Sequence, residues 1–136
     1  MSRVHRLLRL VADTDARAVR GEDGTWVVPC LHCQSKLVLA PSGAPRGPAT
    51  LEHIVPRSWF GRAAARQLVA RVGTADATAN LAVACARCNQ QKGKTHDADG
   101  PSSPRAREVV AALLDTRAER LGTPRAELVS GDSPPV

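Results

Sequence analysis

All four cysteines of the chain fall into two Cys-x-x-Cys pairs, Cys30 with Cys33 and Cys85 with Cys88. Two intervening residues let both sulfurs of a pair reach one ion at about 2.3 Å, and two such pairs complete a tetrahedron. The other reading is a redox dithiol. A thioredoxin-like site, however, needs one pair in a strand–helix–strand setting, which this sequence lacks. The spacing predicts one zinc ion held by Cys30, Cys33, Cys85 and Cys88. Four thiolates leave the ion no open position, so its role is structural. His32, between the first two ligands, is expected to point outward. The 51 residues from 34 to 84 that separate the pairs exceed what a compact zinc ribbon needs. The clamp encloses a folded insertion, and that insertion holds the only adjacent Glu and His of the chain, Glu52 and His53.

A staple matters because the apolar core is thin. The 136 residues include no Tyr, one Phe and two Trp, and much of the hydrophobic content is Ala and Val. These remove little surface each compared with aromatic rings. Val4, Leu7, Leu8 and Val11 recur at helical spacing, which predicts an amphipathic helix over 3–18, ended by the Gly-rich stretch 21–24. Trp26 to Val28 and Leu37 to Leu39 read as two strands of a hairpin with Cys30 and Cys33 at its tip. The stretch 41–48 holds three Pro and two Gly and is expected to be an irregular loop. A strand covers Leu51 to Val55 and stops before Pro56. Helical spacing returns at Ala65, Leu68, Val69 and Val72, closed by Gly73. Leu81 to Ala84 suits a short strand and Cys85 to Lys94 a short helix; after a polar linker over 97–104, Val109, Val110, Leu113, Leu114 and Leu121 define a second amphipathic helix from Arg105. The fold class is α+β. Three segments follow: an N-terminal helix (1–21), a zinc-clamped core (22–98), and a linker, C-terminal helix and frayed tail (99–136).

The net charge is +6, which favours polyanionic partners, although basic surfaces also occur on proteins that never touch DNA. Charged residues interrupt the first eleven positions, so no signal-peptide core is expected there. No stretch approaches the roughly 20 apolar residues that span a bilayer. The expectation is a cytoplasmic protein without a membrane partner, in a compartment where cysteines stay reduced.

Between the cysteine pairs the chain reads Leu51-Glu52-His53-Ile54-Val55-Pro56-Arg57-Ser58, and around the second pair Asn80-Leu81-Ala82-Val83-Ala84-Cys85-Ala86-Arg87-Cys88-Asn89-Gln90-Gln91-Lys92-Gly93. Over residues 26 to 96 this arrangement resembles the HNH endonucleases, the ββα-metal or His-Me finger nucleases. The resemblance implies a ββα-metal core with zinc knuckles, flanked by the N- and C-terminal helices. It implies that His53 is the general base, suited by an imidazole that titrates near neutral pH. It also implies one hard divalent ion, magnesium or manganese, held by the oxygens of Glu52 and Asn89. Asn80 matches the middle Asn, which in the family braces the loop and orients the base; its other reading is a plain turn residue. Arg57, Arg87, Lys92 and Lys94 are candidates for phosphate contact, and equally for solvated surface charge. Adjacent residues of an ideal strand point to opposite faces, so Glu52 and His53 need the bend that the family introduces as the strand enters its loop.

This sequence departs from the family pattern in places. Glu52 stands where many members carry Asp or His, Asn89 follows the second knuckle in place of His, and Trp59 and Phe60 precede a lone Gly61 where many members have two glycines. His5 and His96 lie outside the pattern. The function implied is a metal-dependent endonuclease acting on DNA, with RNA left open as substrate. The alternatives are a zinc-dependent nucleic-acid-binding module without cleavage and, below it, a zinc-stapled adaptor between proteins. No separate recognition domain is evident, so sequence specificity is expected to be low or supplied by a protein partner.

Overall fold

The structure is a computed structural model and describes residues 2–122. The Ser2 hydroxyl accepts the His5 N–H at 3.0 Å and opens α1, Arg3–Thr14. The helix stops four residues before the periodicity suggested. Thr14 bonds back to the Leu10 carbonyl at 2.8 Å, and Asp15 leaves helical geometry to pair with Leu121 across an isolated bridge. Local polar bonds and a distant partner thus end the helix before the glycines do.

Four strands then form one antiparallel sheet: β1 (Val19–Arg20), β2 (Trp26–Pro29), β3 (Lys36–Leu39) and β4 (Pro45–Arg46), in that spatial order. The β2–β3 hairpin carries the first cysteine pair in its turn, as the spacing suggested. Two strands were not expected. β1 is too short to show alternation. β4 lies inside the Pro-rich stretch 41–48, where Leu39 pairs with Pro45 and Val38 with Arg46. Proline is tolerated there because β4 lies at the edge of the sheet and starts with it.

β5 (Ala49–His53) and β6 (Leu81–Cys85) pair antiparallel with Glu52 opposite Ala82 and His53 opposite Leu81. The chain between them makes a 3-10 turn at Arg57–Trp59 and the helix α2, Arg66–Val72. Gly73, with φ of 90°, closes α2 in a conformation that side chains disfavour. α3 (Ala86–Thr95) follows β6 without a loop and runs through Gly93. α4 (Pro104–Arg120) starts with Ser103 as cap and Pro at its first position. The expected frayed tail lies outside the described residues. No described helix is long and apolar enough to cross a membrane.

The core has two parts, and β6, buried along its whole length, belongs to both. Leu81 and Val83 join Leu8, Val11, Trp26, Val28 and Leu39 under α1; Ala82 joins Ile54, Val55, Trp59, Leu68, Val110 and Leu114 under α2 and α4. Trp59, fully buried, donates its indole N–H to the Asp97 carbonyl at 3.2 Å. It therefore anchors the chain after Pro56. With β6 held from both sides, β5 and α3 have a fixed support.

Candidate active site and metal centre

The turn between β2 and β3 presents Cys30 and Cys33, and the β6–α3 junction presents Cys85 and Cys88. Ligand sulfurs of the four lie within 4.8 Å of one another. A tetrahedron with metal–sulfur bonds of about 2.3 Å has edges of about 3.8 Å, so the tetrad fits a zinc ion with small adjustment. One hydrogen bond already joins the two knuckles, and another closes the second of them. The Cys85 N–H donates to the Cys30 sulfur at 3.3 Å, and the Cys88 N–H to the Cys85 sulfur at 3.4 Å. The thiols are unequal. Hydrogen bonds from the Ser35 hydroxyl and amide hold Cys33 down at about 6. Burial pushes Cys30 up and, with its sulfur neighbours, pushes Cys88 to about 12. Four crowded sulfurs resist ionising together, and a dication is what balances them.

β5, β6 and α3 build the second centre directly beside the first. Asn89, on the first turns of α3, donates from Nδ2 to the Thr50 hydroxyl at 3.1 Å and the Leu51 carbonyl at 3.2 Å. That leaves its Oδ1 as the atom available to a cation. One turn on, Lys92 reaches the His53 carbonyl at 3.4 Å. The helix is thereby stitched to the strand that carries Glu52 and His53.

Glu52 and His53 bond in different directions, as strand alternation requires. The Glu52 carboxylate is buried: Oε1 lies 2.6 Å from His32 Nε2, and Oε2 lies 3.5 Å from Lys92 Nζ with no hydrogen bond of its own. The His53 ring instead meets Asp76, with Nε2 to Oδ1 at 2.7 Å. Its pKa is lowered, first by burial and then by the positive charge of Arg57, Arg3 and Lys92, against a smaller opposing pull from Glu52. A lowered value keeps the ring neutral, and so able to accept a proton, at neutral pH.

β5 ends at His53, and residues 54 and 55 bend away. Asn80 holds that bend. Its Oδ1 accepts the Val55 N–H at 2.7 Å, and its Nδ2 donates to the Val55 carbonyl at 3.1 Å and the Ala75 carbonyl at 3.0 Å. Its own carbonyl accepts the Ile54 N–H at 2.9 Å. Asn80 has no exposed surface, so its contacts are with the loops and not with any substrate.

The basic candidates separate. Arg57, Arg87 and Lys94 are exposed, whereas Lys92 is 3% exposed and shared between Asp97, at 2.9 Å, and Glu52. Burial raises the Asp97 pKa, and Lys92 opposes the rise. Three partners were missed in the sequence. His32 does not point outward but turns in to Glu52. Its position between two ligands whose sulfurs face the β6–α3 junction was a signal that the ring lies near that junction. Asp76 and Asp97 carried no such signal, because nothing local marks an Asp in a polar loop as a partner.

A cavity of about 280 Å³ lined by His32, Arg87, Gln91, Lys92 and His96 opens beside the Glu52 cluster. A larger one of about 850 Å³, between α2 and α4, is lined by Arg66, Arg71, Arg107 and Glu108 among others and by none of the candidate residues above. Size therefore does not mark the chemistry here; the neighbouring groups do.

No curated protein and no solved structure matches the chain. The HNH endonuclease family model matches residues 30–95, from the first cysteine of the metal tetrad to the last residue of α3. That stretch of the chain is an HNH endonuclease domain.

Proposed function

We propose that the protein is a metal-dependent endonuclease that hydrolyses phosphodiester bonds in DNA, with His53 as general base. The observation that carries this reading is the placement of His53 at the end of β5, next to Glu52, with its ring on Asp76 and its carbonyl stitched to α3 through Lys92. The oxygen donors support a hard divalent ion, magnesium or manganese. Glu52 keeps one oxygen without a hydrogen bond, and Asn89 keeps its amide oxygen free. Such an ion, held by Glu52 and Asn89, supplies charge neutralisation at the scissile phosphate and the departing oxygen. Lys92 has Asp97 as a second carboxylate, so its ammonium remains paired when a cation takes Glu52. His53 takes the proton of the attacking water. Arg57, Arg87 and Lys94 face solvent where a phosphate backbone approaches.

One observation favours the second reading, a nucleic-acid-binding module that does not cleave: the Glu52 carboxylate is buried and already paired with His32. One experiment separates the two. Supercoiled plasmid is incubated with the zinc-loaded protein and magnesium or manganese, alongside His53→Ala and a salt-dependent binding assay. Nicking or linearisation that His53→Ala loses, while binding persists, is the expected result. Salt-sensitive binding with no cleavage in any metal establishes the second reading, and equal cleavage by both proteins removes His53 as base.

A further inference from the structure

We propose that Asp76 is a positioning residue for His53: its carboxylate holds the imidazole by Nε2, keeps the ring hydrogen on that atom, and leaves Nδ1 to take the proton from water. This inference rests on the endonuclease reading. It concerns a residue outside the motif that marks the domain.

The geometry is specific. His53 Nε2 and Asp76 Oδ1 are 2.7 Å apart, and Asp76 is the ring's one hydrogen-bond partner among the described residues. A carboxylate accepts and does not donate, so the shared hydrogen sits on Nε2, and the opposite nitrogen carries the lone pair. Which nitrogen of a catalytic histidine is the base is set by the bond that the other one makes.

Asp76 is itself held from two sides. Arg3 of α1 pairs with its Oδ2, and Arg57 lies 3.4 Å from its Oδ1. The two guanidiniums, one on each oxygen, fix the orientation of the carboxylate toward the ring. The backbone completes the arrangement. Asn80 donates to the Ala75 carbonyl, one residue before Asp76, and to the Val55 carbonyl, two residues after His53. One buried amide therefore fixes the loop of the acid and the loop of the base relative to each other.

During the reaction the proton of water passes to Nδ1, and the water oxygen forms a bond to phosphorus. The bond from phosphorus to the 3′ oxygen breaks with its electron pair on that oxygen, which takes a proton from solvent. The imidazolium that results carries a hydrogen on each nitrogen, and Asp76 stabilises it through Nε2.

The test uses the full zinc-loaded chain and the variants Asp76→Ala, Asp76→Asn and Asp76→Glu, with zinc content and thermal unfolding measured for each. Long-range 15N–1H correlation spectra, with the His53 signals identified by their absence in His53→Ala, read the tautomer without any need for activity. Plasmid nicking with manganese reads kcat and KM. The wild type is expected to carry its ring hydrogen on Nε2, and Asp76→Ala to show both tautomers. Its kcat should fall between about 10- and 100-fold with KM for DNA little changed. Asp76→Glu should recover part of the loss. If Asp76→Ala loses zinc, the isosteric Asp76→Asn carries the same comparison. Wild-type kcat in the variants, a loss confined to KM, or a wild-type ring protonated on Nδ1 overturns the proposal. A wild type that cuts nothing in any metal, with its tautomer still set by Asp76, shows instead that the endonuclease reading has failed and the catalytic meaning of the contact with it.

Discussion

Asn80 shows how much one side chain decides in this domain. Its amide meets three backbone groups, and removal strands the two of Val55 in the interior. A buried polar group left unpaired costs about 1–3 kcal/mol. Asn80→Ala should lower stability by at least that much in urea unfolding. Asn80→Asp, which keeps the bond from the Val55 N–H but loses both donors, should fall between; if Asn80→Ala unfolds at the wild-type midpoint, the residue braces nothing. His32 makes a parallel case. It is the hydrogen-bond partner of Glu52 Oε1, so His32→Ala should cost about 1–3 kcal/mol, and His32→Gln, which retains a donor, should cost less. Equal losses in the two variants would mean that packing, and not the bond to Glu52, is what His32 contributes. At this scale the residues that carry a motif, Glu52, His53, Asn80 and Asn89, were legible as candidates. Their partners were hidden, because the contact of His53 with Asp76, 23 residues on, or of Glu52 with His32, 20 residues back, depends on the path of the elements between them.

Among the elements, those built on a strong local signal stand where the sequence indicated. The β2–β3 hairpin, β6, α2 with its Gly73 cap and α3 follow from periodicity and breakers. β1 and β4 did not show, since two residues cannot display alternation, and the end of α1 did not show, since its bridge partner lies over a hundred residues away. What joins the hairpin to α3 is the cysteine tetrad. The first core cluster contains Cys30 and Cys85 themselves, so the metal closes a contact that is already apolar on one side. Removing the ion leaves crowded thiols of unequal acidity at the seam and frees the hairpin tip from the helix that carries Asn89 and Lys92. Chelation should therefore lower the melting temperature by at least about 10 °C and broaden the transition, with recovery on adding zinc. A chelated protein that melts as sharply and as high as the loaded one would show that the tetrad does not hold these elements together.

Across the whole molecule, α1 and α4 close on each other around a buried group of charges outside the HNH domain. Asp15, just after α1, accepts a two-pronged bond from Arg120 at 2.6 to 3.2 Å, and Arg117 lies 4.0 Å away on the same carboxylate. Arg120 also donates to the Pro29 carbonyl at 2.7 Å, next to the first zinc ligand, and Arg117 to the Thr78 carbonyl at 3.2 Å, two residues before Asn80. The two terminal helices are thus tied to both centres of the domain, and α1 is the helix that delivers Arg3 to Asp76. Replacing either partner of a buried ion pair strands the other in a poor solvent, at a cost of about 3–5 kcal/mol. The two replacements are not equivalent here. Asp15→Ala leaves two buried guanidiniums facing each other, whereas Arg120→Met leaves Asp15 with Arg117 still beside it and fills the space with an apolar chain. Asp15→Ala should therefore be the more destabilising in urea unfolding of the zinc-loaded protein, near the upper end of that range, and Arg120→Met the milder. The reverse order would mean that the bonds from Arg120 to Asp15 and Pro29, and not the neutralisation of two cations by one acid, hold the helices to the domain.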